Sequence, residues 1–351
     1  MPVSRFLQIR ERLWADITAN AFGDKLPPEP DLAKRYEVSR MTLRRAIAGL
    51  TAEGFLTAQQ GRGTFVVRDR IAPSNTKTIG LIIDPRVIEG HADPYFGTMI
   101  GTLASHLSKS GYSLVFAGAA EELVPLTPGS GQRRPVSGII AMGFDRDSVW
   151  NVASTRVPVV LIDSYPLPDR TCVIPDNRDG IRQAVRHLTA LGHKRIGHIA
   201  GPLATVAAQE RLQAWRESLV SVGLTAPDEL TDVGWFTAPG GGEALEKLLA
   251  APGGAPTAII CANDRMALGA LRKAREKGLR VPQDLSIIGF DNIDAGDLSD
   301  PGLTTLAVPR EAMVAAAFEA LVTEMEQADN APRQTVRLPV ELVVRGTTGR
   351  V

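Results

Sequence analysis

Hydrophobic residues follow a repeating pattern over most of the chain. From residue 78 onward, short apolar runs rich in β-branched residues alternate with stretches that have apolar residues at helical spacing. The runs predict strands at 79–83, 113–117, 138–142, 157–162, 195–200, 256–261 and 285–290. The intervening stretches predict helices near 96–110, 177–191, 206–222, 241–250, 264–277 and 310–327. Such alternation is typical of parallel, doubly wound sheets covered by helices, and about 270 residues of it predict two lobes.

The first 68 residues follow a different pattern. Apolar spacing predicts helices over 3–19, over 31–36 and from a cap at Ser39 onward, followed by two short strands in GFLTAQQGRGTFVV (54–67). The third helix would bury Leu43, Ile47 and Leu50. Three helices followed by a hairpin are typical of a winged helix-turn-helix. We therefore expect this domain at 1–68, a polar linker at 69–77, and a two-lobed α/β domain at 78–345.

Charge is distributed unevenly between these domains. The whole chain has 39 Lys and Arg residues and 39 Asp and Glu residues. Residues 1–70 contain 12 basic and 8 acidic residues, which leaves 27 basic and 31 acidic residues for the remainder. A basic first domain favours a polyanionic partner, although a few unpaired surface charges would give the same count.

The outer face of the third helix and the tip of the hairpin carry the candidate DNA contacts. A major groove admits a helix, and arginines near its N-terminal end can donate hydrogen bonds to guanine edges or phosphates. Glycines at the tip of the hairpin allow its backbone to approach a phosphate or the minor groove closely. An arginine between them suits the narrow, negatively charged minor groove of A·T-rich DNA. Alternatively, the helix arginines form only a solvated face. The predicted DNA-binding residues are Arg40, Thr42, Arg44, Arg45, Gln60, Gly61, Arg62 and Gly63.

Polar residues follow several predicted strands of the large domain. Because strand ends meet at one edge of a parallel sheet, their carboxylates and amides can converge on a hydroxyl-rich ligand. An arginine could supply paired donors, and aromatic rings could offer apolar faces to a sugar. Alternatively, each Asp after a strand could cap the next helix, and each aromatic residue could belong to the core. The predicted effector-binding residues are Asp84, Tyr95, Phe96, Asp163, Arg211, Trp215, Asn263 and Asp291.

The segment LPPEPDLAKRYEVSRMTLRRAIAGLTAEGFLTAQQGRGTFV (26–66) resembles the DNA-binding domain of the GntR family of bacterial transcription regulators. The resemblance implies DNA contacts from Arg40, Thr42 and Arg44 and from the wing residues 60–63. That family usually has Ser-Glu-Arg before the second helix, whereas this chain has Pro-Glu-Pro at 28–30. The family's arginine would contact DNA, so Pro30 removes one expected contact. A proline at a helix start remains compatible with the fold.

The large domain resembles the sugar-binding core of the LacI family, itself similar to periplasmic ribose-binding proteins, across 78–345. The most specific stretches are HLTALGHKRIGHIAGP (187–202), RLQAW (211–215), CANDRMALGALRKAREKGLRVPQDLSIIGFDN (261–292) and PGLTTL (301–306). The resemblance implies that Arg211 and Asp291 are the principal hydroxyl-binding pair. It also implies that Asn263 and Asp163 form further walls, and that DPYF (93–96) is the aromatic segment of the first lobe.

The chain departs from the LacI family in two places. The family has a helix between the strands at 113–117 and 138–142, but in this chain prolines at 125, 128 and 135 leave little room for one. In the family, this edge of the first lobe commonly takes part in dimer contacts. The LacI-type DNA-binding headpiece and hinge helix are replaced by the GntR-like domain. This combination is similar to the arabinose-repressor type of regulator.

Motifs of other protein classes are absent from the sequence. There is no GxSxG, Walker loop, HExxH or metal-spaced histidine cluster, so we expect no cofactor and no metal. His187, His193 and His198 are interpreted as structural. Cys172 and Cys261 lack CxxC spacing. Without an export signal or an apolar run of about 18 residues, the protein is expected in the cytoplasm and not in a membrane.

The sequence therefore predicts a transcriptional regulator. We expect a repressor that binds a near-palindromic operator as a homodimer and is released by a sugar or related polyol. A corepressor-dependent regulator or an activator would use the same sites. An enzyme built on the same two-lobed scaffold is the alternative from another class.

Overall fold

The computed structural model describes residues 5–18, 21–52, 54–59, 61–67, 77–89, 93–118, 136–153, 157–327 and 331–351. Three of the predictions above fall wholly or mainly outside these ranges. They concern Gln60 of the wing, the linker at 69–77 apart from Lys77, and the proline-containing segment, of which 119–135 is not described.

The N-terminal domain has the predicted three helices and hairpin. Its elements are α1 (Arg5–Thr18), α2 (Glu29–Arg35), α3 (Arg40–Ala52), β1 (Leu56–Gln59) and β2 (Gly63–Val66). The two strands pair antiparallel, with Gln59 opposite Gly63. Leu13, Leu43 and Leu50 lie fully buried at the centre of the domain. Ser39 caps α3 as predicted, because its hydroxyl accepts a hydrogen bond from the backbone N of Thr42 at 3.2 Å.

The first lobe contains a six-stranded parallel sheet. Its strands are β3 (Thr78–Ile83), β4 (Ser113–Ala117), β5 (Gly138–Met142), β6 (Val159–Ile162), β7 (Thr171–Pro175) and β13 (Thr335–Leu338), in the order β13–β7–β6–β5–β3–β4. The helices of this part of the fold are α4 (Pro85–Glu89), α5 (Pro94–Lys109), α6 (Trp150–Ala153) and α12 (Arg310–Glu326). Helix α12 packs against the sheet and against α5.

The second lobe contains a four-stranded parallel sheet in the order β11–β10–β8–β9. Its strands are β8 (Ile196–Ala200), β9 (Thr231–Val233), β10 (Ala258–Cys261) and β11 (Ser286–Ile288). The helices are α7 (Asn177–Ala190), α8 (Val206–Ser221), α9 (Ala238–Leu249), α10 (Asp264–Glu276) and α11 (Asp294–Asp297). Two further strands, β12 (Thr305–Ala307) and β14 (Glu341–Val343), pair antiparallel.

The chain passes between the lobes at three places. These are the step from β7 into α7, the step from β12 into α12, and the step from β13 into β14. The predicted fold class, a winged helix-turn-helix followed by two doubly wound parallel sheets, is confirmed. Because the carboxyl ends of parallel strands face a crevice, this architecture places the loops after β6, β10 and β11 toward the space between the lobes.

Candidate effector cavity and DNA-binding surface

A cavity of about 100 Å³ lies between the two lobes. Both lobes supply polar and aromatic walls. The first lobe contributes Asp93, Tyr95, Phe96, Phe144 and Asp163, and the second contributes Arg211, Phe236, Asn263 and Asp291. The structure thus brings together six of the eight predicted effector residues, because Tyr95, Phe96, Asp163, Arg211, Asn263 and Asp291 all line this cavity.

Arg211 on α8 is held from several sides. Its Nε donates to Oδ1 of Asn177 at 2.9 Å, and its Nη1 donates to the carbonyl oxygen of Ala262. The guanidinium carbon lies 3.5 Å from the ring centroid of Phe290. Nη1 also lies 4.0 Å from Oδ1 of Asp291. A rigid cation next to a carboxylate at the cavity wall can donate and accept hydrogen bonds with one hydroxyl-bearing ligand.

Asp291 occupies a strained turn after β11. Its φ of 112° lies in a region that non-glycine residues rarely adopt, and such strain is found mainly at functional sites. Arg310 of α12 stabilises the turn by donating to the carbonyl oxygens of Asp291 at 2.7 Å and Asn292 at 3.2 Å. Burial raises the pKa of Asp291 well above its ordinary value, and the charge of Arg211 opposes this shift.

Two buried oxygen atoms of the first lobe are poorly satisfied. The Tyr95 hydroxyl and Oδ1 of Asp163 form no hydrogen bond of standard geometry within the described part of the chain. The two groups lie close enough for a weak hydrogen bond to each other, and burial raises the pKa of both groups. An unsatisfied buried polar group costs about 1–3 kcal/mol. A ligand with hydroxyl groups would satisfy both atoms, so the residues present fit a polyol.

Asn263 combines the two roles that the sequence left open. It caps α10, because its Oδ1 accepts a hydrogen bond from the backbone N of Met266 at 2.9 Å. Its Nδ2 donates to the carbonyl oxygen of Phe236 at 3.3 Å, and both residues line the cavity. Phe236, with a φ of 57°, is an aromatic wall that the sequence reasoning missed. An isolated aromatic residue in a loop carries no pattern that distinguishes it from the core.

Asp93 is a second cavity residue that the sequence reasoning did not select. One carboxylate oxygen accepts a hydrogen bond from the backbone N of Tyr95 at 3.0 Å, which caps α5. The other lies 3.3 Å from Nη1 of Arg265 on α10. Asp93 therefore joins the first lobe to the second beside the cavity. Its position before a proline signals a helix cap, but no sequence signal indicates the ion pair across the cleft.

Asp84 does not line the cavity, contrary to the prediction. Its side chain is buried and accepts hydrogen bonds from Arg86, at 2.6 Å from Nη2, and from Ser148. Arg86 also pairs with the buried Asp145. Although burial opposes the shift, the hydrogen bonds from Arg86 and Ser148 lower the pKa of Asp84. This carboxylate is thus engaged in organising the first lobe.

Trp215 also lies outside the cavity. The ring is completely buried and stacks on His198, with ring centroids 6.0 Å apart. Burial lowers the pKa of His198 to about 3, so this histidine is neutral and its Nδ1 interacts with the carbonyl oxygen of Ile260 at 2.9 Å. Trp215 therefore belongs to the core of the second lobe. His193, which interacts with Thr257 and Ser286 at 2.9 and 3.0 Å, is likewise structural.

The predicted DNA-binding residues of α3 lie on its outer face. Arg40, Arg44 and Arg45 are exposed, whereas Leu43 and Ile47 on the opposite side are buried. The Thr42 hydroxyl forms a hydrogen bond of 2.9 Å with the Ser39 hydroxyl. Nε and Nη2 of Arg44 donate to Oε2 of Glu29 at 3.2 and 2.9 Å. The helix therefore presents several cations on one solvent-facing side.

The wing has the backbone geometry that its glycines imply. Gly61 and Gly63 have φ values of 75° and 110°, which glycine adopts without strain. Arg62 is exposed between them, and its backbone N donates to the carbonyl oxygen of Gln59 at 3.0 Å. A Cβ at Gly63 would lie only 3.0 Å from Cε of Lys25. The tip thus presents one arginine on a tight turn.

No group of three or more His, Cys, Asp or Glu side chains within the described ranges could hold a metal ion. Among the helices of these ranges, none is long and apolar enough to cross a membrane.

Comparisons with known proteins agree with the two-domain architecture. Residues 6–66 match the family of bacterial regulatory proteins, gntR family, and residues 185–348 match the periplasmic binding protein-like domain. An HTH-type transcriptional regulator in the aml 5′ region of Streptomyces limosus is 33% identical over 346 residues, covering 93% of this chain and 95% of that protein. The HTH-type transcriptional repressor PurR of Pasteurella multocida is 32% identical over 329 residues, covering 90% and 96%.

Solved structures give the same result. A complex of the transcriptional regulator CelR with cellobiose has a TM-score of 0.67 at 25% identity and covers 99% of this chain and 100% of that one. The Lac repressor dimer bound to operator and the anti-inducer ONPF has a TM-score of 0.66 at 28% identity, covering 81% and 98%. The chain is a DNA-binding regulator with a ligand-sensing domain. It belongs to the HTH-type transcriptional regulators, with a gntR-family DNA-binding domain in front of a LacI-like periplasmic-binding-protein domain.

Proposed function

We propose that the protein represses transcription and leaves its operator when an uncharged, hydroxyl-rich ligand enters the cavity between the lobes. The observation that carries this proposal is the cavity itself, where Arg211 and Asp291 lie with the Tyr95 hydroxyl and Oδ1 of Asp163, two buried oxygens without a hydrogen bond of standard geometry to the described residues. Hydroxyl groups of a sugar can donate to Asp163 and Asp291 and accept from Arg211.

A further property of the cavity favours an uncharged effector over a sugar acid or a sugar phosphate. Its charged lining residues are Asp93, Asp163, Asp291 and Arg211, so carboxylates outnumber the cation. Asp93 is paired with Arg265. Burial already raises the pKa of Asp163 and Asp291, so the cavity disfavours negative charge, and Arg211 would be the one cation among its described lining residues to offset that of an anionic ligand.

The proposed DNA-binding residues are the exposed cations of α3 together with the wing. The set comprises Arg40, Thr42, Arg44, Arg45, Gln60, Gly61, Arg62 and Gly63. Support comes from the solvent-facing position of those that the structure describes, and from the Lac repressor, which its structure shows as a dimer bound to operator. By the same likeness, the protein acts on DNA in the cytoplasm as a homodimer whose two winged domains read two half-sites.

The proposed mechanism couples these sites through the three passages between the lobes. A ligand that contacts both Asp163 of the first lobe and Arg211 of the second stabilises one relative position of the lobes. This position changes the spacing of the two DNA-binding domains in the dimer and takes them out of register with the half-sites. Ligand and operator must then weaken each other's binding by the same factor.

Two other readings use the same structure. A corepressor or activator would differ only in the sign of the coupling, which a DNA titration with ligand determines. An enzyme is the second reading, because carboxyl groups such as those of Asp163 and Asp291 can serve in acid–base catalysis. The relatives reported above are transcriptional regulators, which supports binding and not catalysis as the role of the cavity.

A thermal-shift screen tests the proposed effector class. The full chain is heated with neutral sugars and polyols, nucleosides, sugar acids and sugar phosphates, each in large excess. A ligand at 100 times its dissociation constant stabilises the folded state by about 2.7 kcal/mol. We expect a neutral sugar or polyol to raise the melting temperature of the wild type but not of Asp291→Ala. Stabilisation by sugar acids or phosphates alone would contradict the proposal.

A further inference from the structure

Arg211 is connected to the first lobe by a continuous series of hydrogen bonds. Its Nε donates to Oδ1 of Asn177 at 2.9 Å, and Nδ2 of Asn177 donates to Oε2 of Glu210 at 2.9 Å. Two nitrogens of Arg337 complete the series, with Nη1 3.0 Å from Oε2 and Nη2 2.7 Å from Oε1 of Glu210. We call these three residues, Asn177, Glu210 and Arg337, the Arg211 support.

The chemistry of the support allows one arrangement only. An arginine side chain only donates and a carboxylate only accepts, so the amide of Asn177 must turn its oxygen to Arg211 and its nitrogen to Glu210. Asn177 is completely buried, and Glu210 and Arg211 are 9% and 3% exposed. Because Asn177 and Arg211 are shielded from water, removing Asn177 or Glu210 leaves a buried donor of the next residue toward Arg211 without its partner.

The support also spans two of the three passages between the lobes. Asn177 is the first residue of α7, directly after the step from β7. Arg337 lies on β13, opposite Ile174 of β7, just before the chain steps into β14. Glu210 on α8 lies between them. The position of Arg211 in the second lobe is therefore tied to the first-lobe sheet through a side-chain path in addition to the backbone.

We propose that Glu210 is a positioning residue for the cavity arginine. It acts through Asn177 to fix the guanidinium of Arg211 in its binding orientation, and Arg337 anchors it to β13. The inference rests on the proposed effector site for its purpose, but the orientation of Arg211 can be measured without any effector. An experiment can therefore refute the positioning role of Glu210 without refuting the proposed effector class, and the reverse also holds.

The test uses the full-length, ligand-free protein and nitrogen-15 NMR of arginine side chains. The Nε–H resonance of Arg211 is assigned by its loss in Arg211→Lys. We expect slow exchange of this proton with water in the wild type, because the group is buried and hydrogen-bonded. In Glu210→Gln and in Asn177→Ala the exchange becomes about 10- to 100-fold faster, as the hydrogen bond to Nε is weakened or lost.

A matched control and a rescue separate positioning from general destabilisation. Glu217→Gln makes the same change on the same helix, at an exposed glutamate paired with Arg178 at 3.0 Å, and leaves the exchange unchanged. Arg337→Met, at a side chain that is 41% exposed, accelerates the exchange, whereas Arg337→Lys restores most of the protection. If Glu210→Gln does not fold, Arg337→Met decides between the outcomes.

The proposal is overturned if the Arg211 Nε–H exchanges at the wild-type rate in Glu210→Gln and Arg337→Met. It is also overturned if Glu217→Gln accelerates the exchange as much as Glu210→Gln, because the effect would then belong to the helix as a whole. Both results are obtained without a sugar, and neither affects the thermal-shift test of the effector class.

Discussion

Arg44 of α3 donates two hydrogen bonds, at 3.2 Å from Nε and 2.9 Å from Nη2, to the same carboxylate oxygen of Glu29. Glu29 is the first residue of α2 and lies between Pro28 and Pro30. Both prolines restrict the backbone on either side of it. The pair uses two of the five N–H donors of the guanidinium, so Glu29 orients Arg44 while leaving its other donors for a base edge.

Replacing Arg44 tests this assignment. We expect Arg44→Ala to weaken operator binding by about 1–3 kcal/mol and to relax the preference at one base pair. Glu29→Gln should cause a smaller loss, with no further loss in the Arg44→Ala background, because Glu29 acts through Arg44. Fluorescence anisotropy with operator duplexes that differ at single positions measures these effects. If Glu29→Gln instead strengthened binding equally to all duplexes, Glu29 would only repel phosphate.

The wing arginine should contribute mainly through charge. Arg62→Ala is expected to reduce the slope of the logarithm of DNA affinity against the logarithm of salt concentration by about 0.9, the value for one phosphate contact. Arg272→Ala removes another exposed arginine, from α10 of the sensing domain, and serves as the control. Equal salt slopes for Arg62→Ala, Arg272→Ala and the wild type would exclude Arg62 from the interface.

The ion pair between Asp93 and Arg265 should stabilise the arrangement of lobes that binds ligand. Its atoms are 3.3 Å apart, and both side chains are largely buried. We expect Arg265→Met to raise the dissociation constant of a neutral sugar identified by the thermal-shift screen about fivefold, corresponding to about 1 kcal/mol. Isothermal titration calorimetry of Arg265→Met and Arg272→Met measures the difference. Unchanged or tighter binding by Arg265→Met would show that the pair has no such role.

Asp264 predicts a pH dependence of stability. It begins α10, and its carboxylate accepts hydrogen bonds from the backbone N of Ile293 at 2.9 Å and from Thr305 at 2.5 Å. Burial raises the pKa of Asp264 to about 7. The folded-state pKa of Asp264 lies above its unfolded value of about 3.9. The contribution of this group to the free energy of unfolding is therefore fully present below about pH 3.9, and it is lost as the pH rises from there toward 7.

Asp264→Asn should remove that dependence, since an amide can accept from Ile293 and donate to the Thr305 hydroxyl. The free energy of unfolding in urea, measured at pH 5 and pH 8, should fall more in the wild type than in the variant. Each unit of pKa shift corresponds to about 1.4 kcal/mol. The account of Asp264 fails if the two proteins lose the same free energy between these pH values.

The central elements of the fold could be predicted because their patterns are local. The apolar runs of β3, β5 and β10 and the periodic helices α7 and α10 appear in the sequence within a few residues of their observed bounds. Strands β7, β9, β12, β13 and β14 were missed, and β7 and β13 show why. The run TCVIP of β7 ends in a proline, and TVRL of β13 contains an arginine, so neither resembles a buried strand until the neighbouring strand is known.

The cavity could be predicted only in part. Asp163, Asn263 and Asp291 follow strands, and the rule that strand ends converge correctly placed them together. The same rule was wrong for Asp84, whose carboxylate is engaged by Arg86 two residues later and by Ser148, 64 positions away in sequence. Trp215 lies one helical turn from Arg211, but the choice between cavity and core depends on His198 of another element.

The most direct test of the account is a reciprocal titration. Operator affinity is measured with and without a saturating neutral sugar from the thermal-shift screen, and sugar affinity is measured with and without operator DNA. We expect the sugar to weaken operator binding by a factor of about 5–150, and the operator to weaken sugar binding by the same factor. A sugar that binds the cavity but leaves operator affinity unchanged would contradict the proposed coupling of the two domains.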